Sequence, residues 1–319
     1  MITIIGPTAS GKTALAASLA ASYILDGQPA EIISGDSRQV YRGMDIGTGK
    51  DLCDYTVDGS TLSTSSPIHV PYHLIDICDP GTKYNIFEYQ EDFLKAYDDC
   101  KSRGVLPILC GGSGLYVESV IREYHLSPVP KNEELRTELS GKSMTELTAI
   151  LMELKERNKS DMHNKTDVDS PQRAIRAIEI EQYNLDHQTE DRYFPPVETV
   201  VFGVDVPRDV RRQKISSRLK ARVDEGMIDE INRLIDSGVN ADDLIYYGLE
   251  YKFVTEYVIG RRSYDDMLKQ LEIHIHQFAK RQMTWFRGME RRGITINWID
   301  GTLPMDERVK RIREIMDYQ

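Results

Sequence analysis

One short run near the start, Gly6-Pro-Thr-Ala-Ser-Gly-Lys-Thr13, constrains this chain more than anything else in it. The run fits G-x-x-x-x-G-K-[ST] and lies between a strand-like run, Ile2–Ile5, and a helical pattern, Ala14–Leu25, the context the motif requires. A strand, a glycine-rich turn and a helix in that order aim backbone N–H groups at one spot, and the helix dipole favours negative charge there. Lys12 adds a point charge, and the Thr13 hydroxyl suits Mg²⁺. Gly6, Pro7, Thr8, Ala9, Ser10, Gly11, Lys12 and Thr13 are therefore the expected anion-binding residues. The motif leaves the phosphate compound open. ATP or GTP is the default, and the competing reading is a glycine-rich turn without a ligand. Only Asp205 and Asp76 end apolar runs as a metal-holding Asp of an ATP-hydrolysing site would, which disfavours a motor ATPase.

Apolar runs at Glu31–Ser34, His73–Ile77, Leu106–Cys110, Thr199–Asp205 and Ile294–Trp298 join the first strand, separated by helical patterns. This alternation predicts an α/β fold, a parallel sheet with helices on both faces. Between Ser127-Pro-Val-Pro130 and Phe194-Pro-Pro196 the helix formers at Asn132–Leu139, Ser143–Arg157 and Pro171–Gln182 have no strand among them. We read a P-loop core over residues 1–125, a helical insertion domain over 126–192 and the rest of the core over 193–319. Tyr264–Glu290 gives the clearest long helix. Met267, Leu271, Ile275, Phe278, Trp285 and Met289 share one arc with only Gln282 polar, and this stripe is expected in the core. His276, Lys280, Thr284, Arg287 and Arg291 share the opposite arc, either a solvated face or a phosphate-contacting one.

Asp36 follows the second strand, in Glu31-Ile-Ile-Ser-Gly-Asp36. Ligands of open parallel sheets sit beyond the carboxyl ends of the strands, so Asp36 should face the anion held by Gly6–Thr13. A carboxylate there can hold a metal or take a proton from a nucleophile. A turn or N-cap aspartate is the competing reading. The following Arg42-Gly-Met-Asp-Ile-Gly-Thr-Gly-Lys50 suits a loop moulded around a ligand.

The formal net charge of −11 looks wrong for a nucleic-acid partner, but distribution matters more than the sum. Arg208 to Arg222 carries seven Lys/Arg against one acid, and Lys280 to Arg292 five against one. No apolar run is long enough to span a bilayer, and the sequence opens without a basic leader, so a cytoplasmic protein with no membrane partner is expected. The four cysteines (Cys53, Cys78, Cys100, Cys110) form no C-x-x-C pair; Cys78 and Cys110 sit in apolar runs and read as buried thiols.

Together these segments resemble the tRNA dimethylallyltransferase (tRNA isopentenyltransferase) family. The matching pieces are Gly6–Thr13, Asp36-Ser-Arg-Gln-Val-Tyr-Arg-Gly-Met-Asp-Ile-Gly-Thr48, Val70-Pro-Tyr-His-Leu-Ile-Asp76 and Pro107-Ile-Leu-Cys-Gly-Gly-Ser-Gly-Leu-Tyr116. Pro171-Gln-Arg-Ala-Ile-Arg-Ala-Ile-Glu179 and Phe278-Ala-Lys-Arg-Gln-Met-Thr-Trp-Phe-Arg287 complete the set, in the family's order and over nearly the whole chain. The resemblance implies a nucleotide-kinase-like P-loop fold whose loop holds the diphosphate of dimethylallyl diphosphate in place of ATP. It also implies an acceptor adenosine immediately 3′ of the tRNA anticodon, position 37, modified on its N6 amine, and a Mg²⁺ cofactor. By the same resemblance Asp36 is the general base, Lys12 and Thr13 sit on the diphosphate and its Mg²⁺, and Arg222 is a diphosphate-side arginine. It places Asp36, Ser37, Arg38, Gln39, Ser113 and Arg136 on the tRNA, with Gln172, Arg173, Ala174, Ile175 and Arg176. A monomer is expected. Gly-Thr-Gly-Lys-Asp51 departs from the commoner Gly-Thr-Ala-Lys-Pro, Leu52 to Ile68 is longer than usual, and Tyr247-Gly-Leu-Glu-Tyr-Lys252 replaces a Gly-Tyr-Lys/Arg-Glu pattern. Three competitors share parts of the pattern: an adenylate isopentenyltransferase acting on free AMP, ADP or ATP, a P-loop small-molecule kinase, and a catalytically silent tRNA-binding protein.

Overall fold

The computed structural model describes residues 1–58, 66–122, 129–158, 168–187 and 194–318. The chain divides into two compact units, Met1–Arg122 with Pro195–Gln319, and Glu123–Phe194. The borders expected at residues 126 and 192 lie outside the described residues, as do residues 59–65 of the unusually long stretch.

The first unit begins with β1 (Ile2–Ile5), α1 (Lys12–Leu25) and β2 (Ala30–Ser34). A single 3-10 turn (Leu52–Tyr55) and three two-residue strands follow: β3 (Thr56–Val57), β4 (Ile68–His69) and β5 (Tyr72–His73). Next come α2 (Ile86–Ser102), β6 (Leu106–Gly111) and α3 (Gly114–Ile121). The second unit holds α4 (Glu133–Leu139), α5 (Met144–Asn158) and α6 (Pro171–Asp186). The chain then returns to the first unit with β7 (Val200–Asp205), α7 (Arg208–Asp224), α8 (Met227–Asp236) and α9 (Ala241–Tyr246). It ends with α10 (Leu249–Val258), α11 (Tyr264–Arg291), β8 (Ile296–Asp300) and α12 (Met305–Asp317).

Six strands form one sheet in the order β5-β2-β6-β1-β7-β8, and every pairing in it is parallel. This is the α/β architecture the sequence calls for. Strand β1 lies between β6 and β7, with Ile4 opposite both Cys110 and Phe202. Ile2, Ile4, Ile32, Ile108 and Phe202 pack against Leu15 and Leu19 of α1 and Ile312 of α12. The alternate residue Leu109 points the other way, where it and Val117 of α3 crowd Gly35. Buried on both faces, β1 is apolar except for Thr3, whose hydroxyl meets that of Thr199 at 2.8 Å.

Two strands differ from expectation for local reasons. The run His73–Ile77 joins the six-stranded sheet only through His73, because Leu74 (φ 60) and Asp76 (φ 56) adopt left-handed backbone that a strand cannot continue. Strand β8 starts at Ile296, two residues late, because the end of α11 reaches further: Gly293 has φ 93 and Ile294 N–H bonds back to Met289 O at 3.1 Å.

In the second unit α5 packs against α6 around a core of Leu147, Leu151, Leu154, Ala174 and Ile178, completed by Leu139 of α4. Ala174 is fully buried in that core, and Ile175 packs partly against it. Gln172 and Arg173, on the first turn of α6, are exposed. Arg136 and Arg176 both bind the buried Glu179, Arg136 at 2.6 and 2.8 Å and Arg176 at 3.0 Å, and Arg176 also donates to Val129 O at 2.8 Å.

Burial pushes the Glu179 carboxyl up, but bonds from Arg136, the Asn132 N–H and Arg176 outweigh it and hold it at about 2. Its folded value lies below its ordinary value of 4.5. The stabilisation is therefore full above that value and lost as pH falls towards 2. In thermal melts followed by circular dichroism across this window, the wild type is expected to lose stability that Glu179→Gln, already weaker at neutral pH, does not lose. A gap between the two that ignores pH removes Glu179 from the acid transition.

Candidate active site

Loops leave the carboxyl ends of three neighbouring strands, β1, β2 and β6, and meet backbone to backbone. Gly35 N–H donates to Cys110 O at 2.7 Å. A Cβ on Gly111 would lie 2.4 Å from Gly35 O, and one on Gly112 would lie 3.3 Å from Gly6 O. Within the first loop Ala9 (φ 60) and Gly11 (φ 80) take left-handed backbone, and Gly11 is the N-cap of α1. Glycine has no side chain to satisfy the first-turn N–H groups of that helix, so they are offered to an anion. Gln282 of α11 ties the loops together: its Oε1 accepts from Thr8 N–H at 2.8 Å and its Nε2 donates to Gly112 O at 2.9 Å. The polar interruption of an apolar stripe is thus a clamp on the phosphate loop. The Ser10 hydroxyl and the Trp285 indole N–H are buried and have no partner among the described residues.

A cavity of about 650 Å³ opens at this junction, entirely within the first unit. Thr8, Ala9, Gly11, Lys12 and Thr13 line it, and so do Asp36, Arg218 and Arg222. Tyr116, Tyr246, Phe278 and Trp285 supply aromatic surface to the same space. Phe278, expected in the core, is instead 38% exposed there. Asp36 lines the same cavity as the phosphate loop, and it is also a turn aspartate: its Oδ1 accepts from Arg38 N–H at 2.9 Å. That bond fixes the carboxylate on the cavity lip.

Ser37 N–H donates to the Ser113 hydroxyl at 3.3 Å, joining the β2 and β6 loops. Arg38 lies over the Tyr246 ring, 5.5 Å from its centre. Gln39 is buried, accepting from the Ser34 hydroxyl and donating to Gly49 O, each at 3.1 Å. The Arg42–Lys50 loop encloses two protein charges, and its Gly47, Thr48 and Gly49 line the cavity. Lys50 is fully enclosed, donating to Tyr41 O at 2.6 Å and Asp45 at 2.7 Å and pairing with Asp76. Buried Glu230 accepts from the N–H groups of Asp45, Ile46 and Gly47 at 2.9, 2.7 and 3.1 Å, and from the Tyr251 hydroxyl. Burial, then the Glu230 charge, pushes the Tyr251 hydroxyl well above its usual range, so it stays a donor.

The basic helix α7 is split by function of position. Arg218 and Arg222, one turn apart, reach the cavity, and Arg222 is buried. Arg208, Arg212, Lys214 and Lys220 are exposed, as are Lys280, Arg287 and Arg291 on α11. Arg292 is bound by the buried Glu118, both contacts at 2.6 Å. Cys110 lies beneath the phosphate loop, buried, with its thiol pushed up to about 11, chiefly by burial; Cys78 is half-buried. Glu31, His73 and Cys100 bring three possible metal ligands together at the opposite ends of the strands. There Arg103 already binds both Glu31 oxygens at 2.7 Å, and burial pushes the Cys100 thiol up to about 12. That cluster is satisfied as an ion pair. No helix among the described residues is long and apolar enough to cross a membrane.

With this geometry in hand, the chain can be set against known proteins. The family model described as IPP transferase matches residues 39–289. A Bacteroides fragilis protein named tRNA dimethylallyltransferase 2 is 57% identical over 314 residues, 98% of this chain and 97% of that protein. Its namesake from Phocaeicola vulgatus is 58% identical over 316 residues, 99% of this chain and 97% of the relative. Among solved structures, a tRNA isopentenylpyrophosphate transferase from Bacillus halodurans aligns with a TM-score of 0.66 at 31% identity, covering 99% of this chain and 95% of that one. A eukaryotic dimethylallyltransferase acting on tRNA shares the fold at 17% identity, with a TM-score of 0.72 over 100% of this chain and 80% of that one. A family match across most of the sequence, on top of these shared folds and identities, leaves one assignment: the chain belongs to the IPP transferase family.

Proposed function

We propose that this chain prenylates tRNA, moving a dimethylallyl group from dimethylallyl diphosphate to the N6 amine of the adenosine 3′ of the anticodon, position 37. The observation that carries the reading is the single cavity shared by the anion cradle, Asp36 and an aromatic wall. An aryl-type amine is a weak nucleophile, so the reaction depends on ionising the allylic C–O bond. As that bond breaks its electron pair moves onto the diphosphate, and the new N–C bond forms from N6. Lys12, Arg222 and the first-turn N–H groups of α1 meet the charge where it develops. Asp36 takes the N6 proton. The phosphate loop thus stabilises a leaving group, with no phosphoryl transfer.

The Thr13 hydroxyl and the Asp54 carboxylate line the same cavity, hard-oxygen donors that fit Mg²⁺. Bound there, Mg²⁺ would supply positive charge to the diphosphate. Tyr116, Tyr246, Phe278 and Trp285 offer faces for an allyl chain and a flipped base, and extruding a loop nucleotide costs a few kcal/mol, about what stacking returns. Arg38 and Ser37 on the lip, the exposed Gln172 and Arg173, and the free arginines and lysines of α7 and α11 are the groups offered to tRNA. Arg136 and Arg176 hold α4 and α6 together, and Gln39 and Ser113 hold the loops that carry Ser37 and Arg38.

The test is mass spectrometry of nucleosides from tRNA incubated with this protein, dimethylallyl diphosphate and Mg²⁺, beside a parallel reaction on free AMP. The expected product is N6-dimethylallyl adenosine from an anticodon stem-loop. Prenylation of AMP with the stem-loop untouched would make it an adenylate isopentenyltransferase, and ATP consumption without prenyl transfer a kinase.

A further inference from the structure

Asp51 stands at the N-terminal end of the 3-10 turn Leu52–Tyr55, with left-handed backbone (φ 38, ψ 54). An aspartate in that position normally accepts from the N–H groups two and three residues on. This one makes no such bond. Its carboxylate turns instead to the cavity and pairs with two cations, Arg218 in close contact and Arg222 at 3.4 Å from each oxygen. The backbone follows. A Cβ on Gly49 would lie 2.2 Å from an Arg222 nitrogen and 2.8 Å from an Arg218 nitrogen, so residues 49–51 are laid directly against both guanidiniums.

Each guanidinium is a fork built for a bidentate oxyanion. The same cavity holds Lys12, Thr13 and the open N-terminus of α1. Burial, then the Arg218 charge, pushes the Arg222 guanidinium down from its ordinary value, with Asp51 and Glu250 offsetting part of this. Two cations in a partly buried site call for negative charge, and Asp51 delivers one unit of it from the protein itself.

Resting on the diphosphate reading above, we infer that the Asp51 carboxylate occupies an anion position and competes with the diphosphate for Arg218 and Arg222. A diphosphate brings more charge and more acceptor oxygens than one carboxylate, so it displaces Asp51. The hold on substrate and on released diphosphate is weakened by the same displacement. Asp51 therefore sets affinity at this site without touching the reacting carbon. Loss of a merely structural residue would weaken binding; loss of a competitor strengthens it.

The experiment is calorimetric titration of inorganic pyrophosphate into the full-length wild type, Asp51→Asn, Asp51→Gly and Arg222→Ala, at one fixed magnesium concentration. Asn and Gly both tolerate left-handed backbone, so the turn is kept. Asp51→Asn and Asp51→Gly are expected to bind pyrophosphate roughly tenfold tighter than wild type, the scale of one charge-assisted hydrogen bond released from competition. Arg222→Ala is expected to bind more weakly. In turnover assays Asp51→Asn should lower the KM for dimethylallyl diphosphate by a similar factor. Wild-type binding that Asp51→Asn and Asp51→Gly leave equal or weaker overturns the competition while sparing the diphosphate site. Failure of wild type and both Asp51 variants to take up pyrophosphate overturns the diphosphate reading and the inference with it.

Discussion

Asp36→Asn is expected to lower kcat for prenyl transfer by roughly 10²–10⁴-fold, the usual range for a positioned general base, with tRNA affinity close to wild type. The amide is the informative replacement because it keeps the geometry. Asn Oδ1 can still accept from Arg38 N–H, the bond that fixes residue 36 on the cavity lip at 2.9 Å in the present structure. Only the ability to take a proton is lost. Asp36→Ala removes that acceptor as well, so any additional loss measures the turn's contribution to placing Arg38, which stacks over Tyr246. Single-turnover rates with saturating tRNA, beside filter-binding affinities, separate the two. Weakened tRNA binding at an unchanged single-turnover rate would contradict the base assignment.

Lys12→Met should reduce kcat/KM for dimethylallyl diphosphate by about 10²–10³-fold, the cost of removing one preorganised donor from a site of developing charge. Unlike Asp36, Lys12 is expected to act on both stages. It meets the diphosphate when it binds and meets still more charge as the C–O bond ionises, so KM and kcat should both suffer. Methionine keeps most of the side chain's packing, including the stretch against the Gly112 loop, where a Cβ would lie 3.3 Å from Lys12 Cε. A KM shift with kcat untouched would mean the ammonium merely anchors the substrate, and an unchanged KM and kcat would take Lys12 out of the site.

The sheet was legible because a doubly buried parallel strand is nearly all apolar, and β1 in particular leaves no room for another reading. The phosphate loop was legible because its chemistry is contiguous. Everything that failed was long-range or a matter of backbone hand. Nothing near Leu74 or Asp76 announces left-handed backbone, so the strand at His73 looked longer than it is. Gly47, Thr48 and Gly49 do line the cavity, but the burial of Lys50 was not legible: only distant Asp76, and Glu230 on its neighbours' N–H groups, reveal a closed network. Phe278 fell on the apolar arc of α11, and periodicity cannot tell a core from a cavity wall. Ala174 came with a motif whose first residues are exposed, and helix geometry turns its own side chain into the α5–α6 core. Gln282 carried the one usable signal, a polar residue on an apolar stripe.

That glutamine has a consequence for how the enzyme comes into being on the ribosome. Strand β1 is made before both of its neighbours, of which β7 begins only at Val200, and the bond between Gln282 and Thr8 spans 274 positions. A nascent chain with the whole phosphate motif already synthesised therefore lacks half the ladder beside it and the amide that braces its loop. Domains form as units once their partners have emerged. Translation has to pass Gln282 before the anion cradle can set, so a product truncated ahead of it would carry the signature motif and no working pocket.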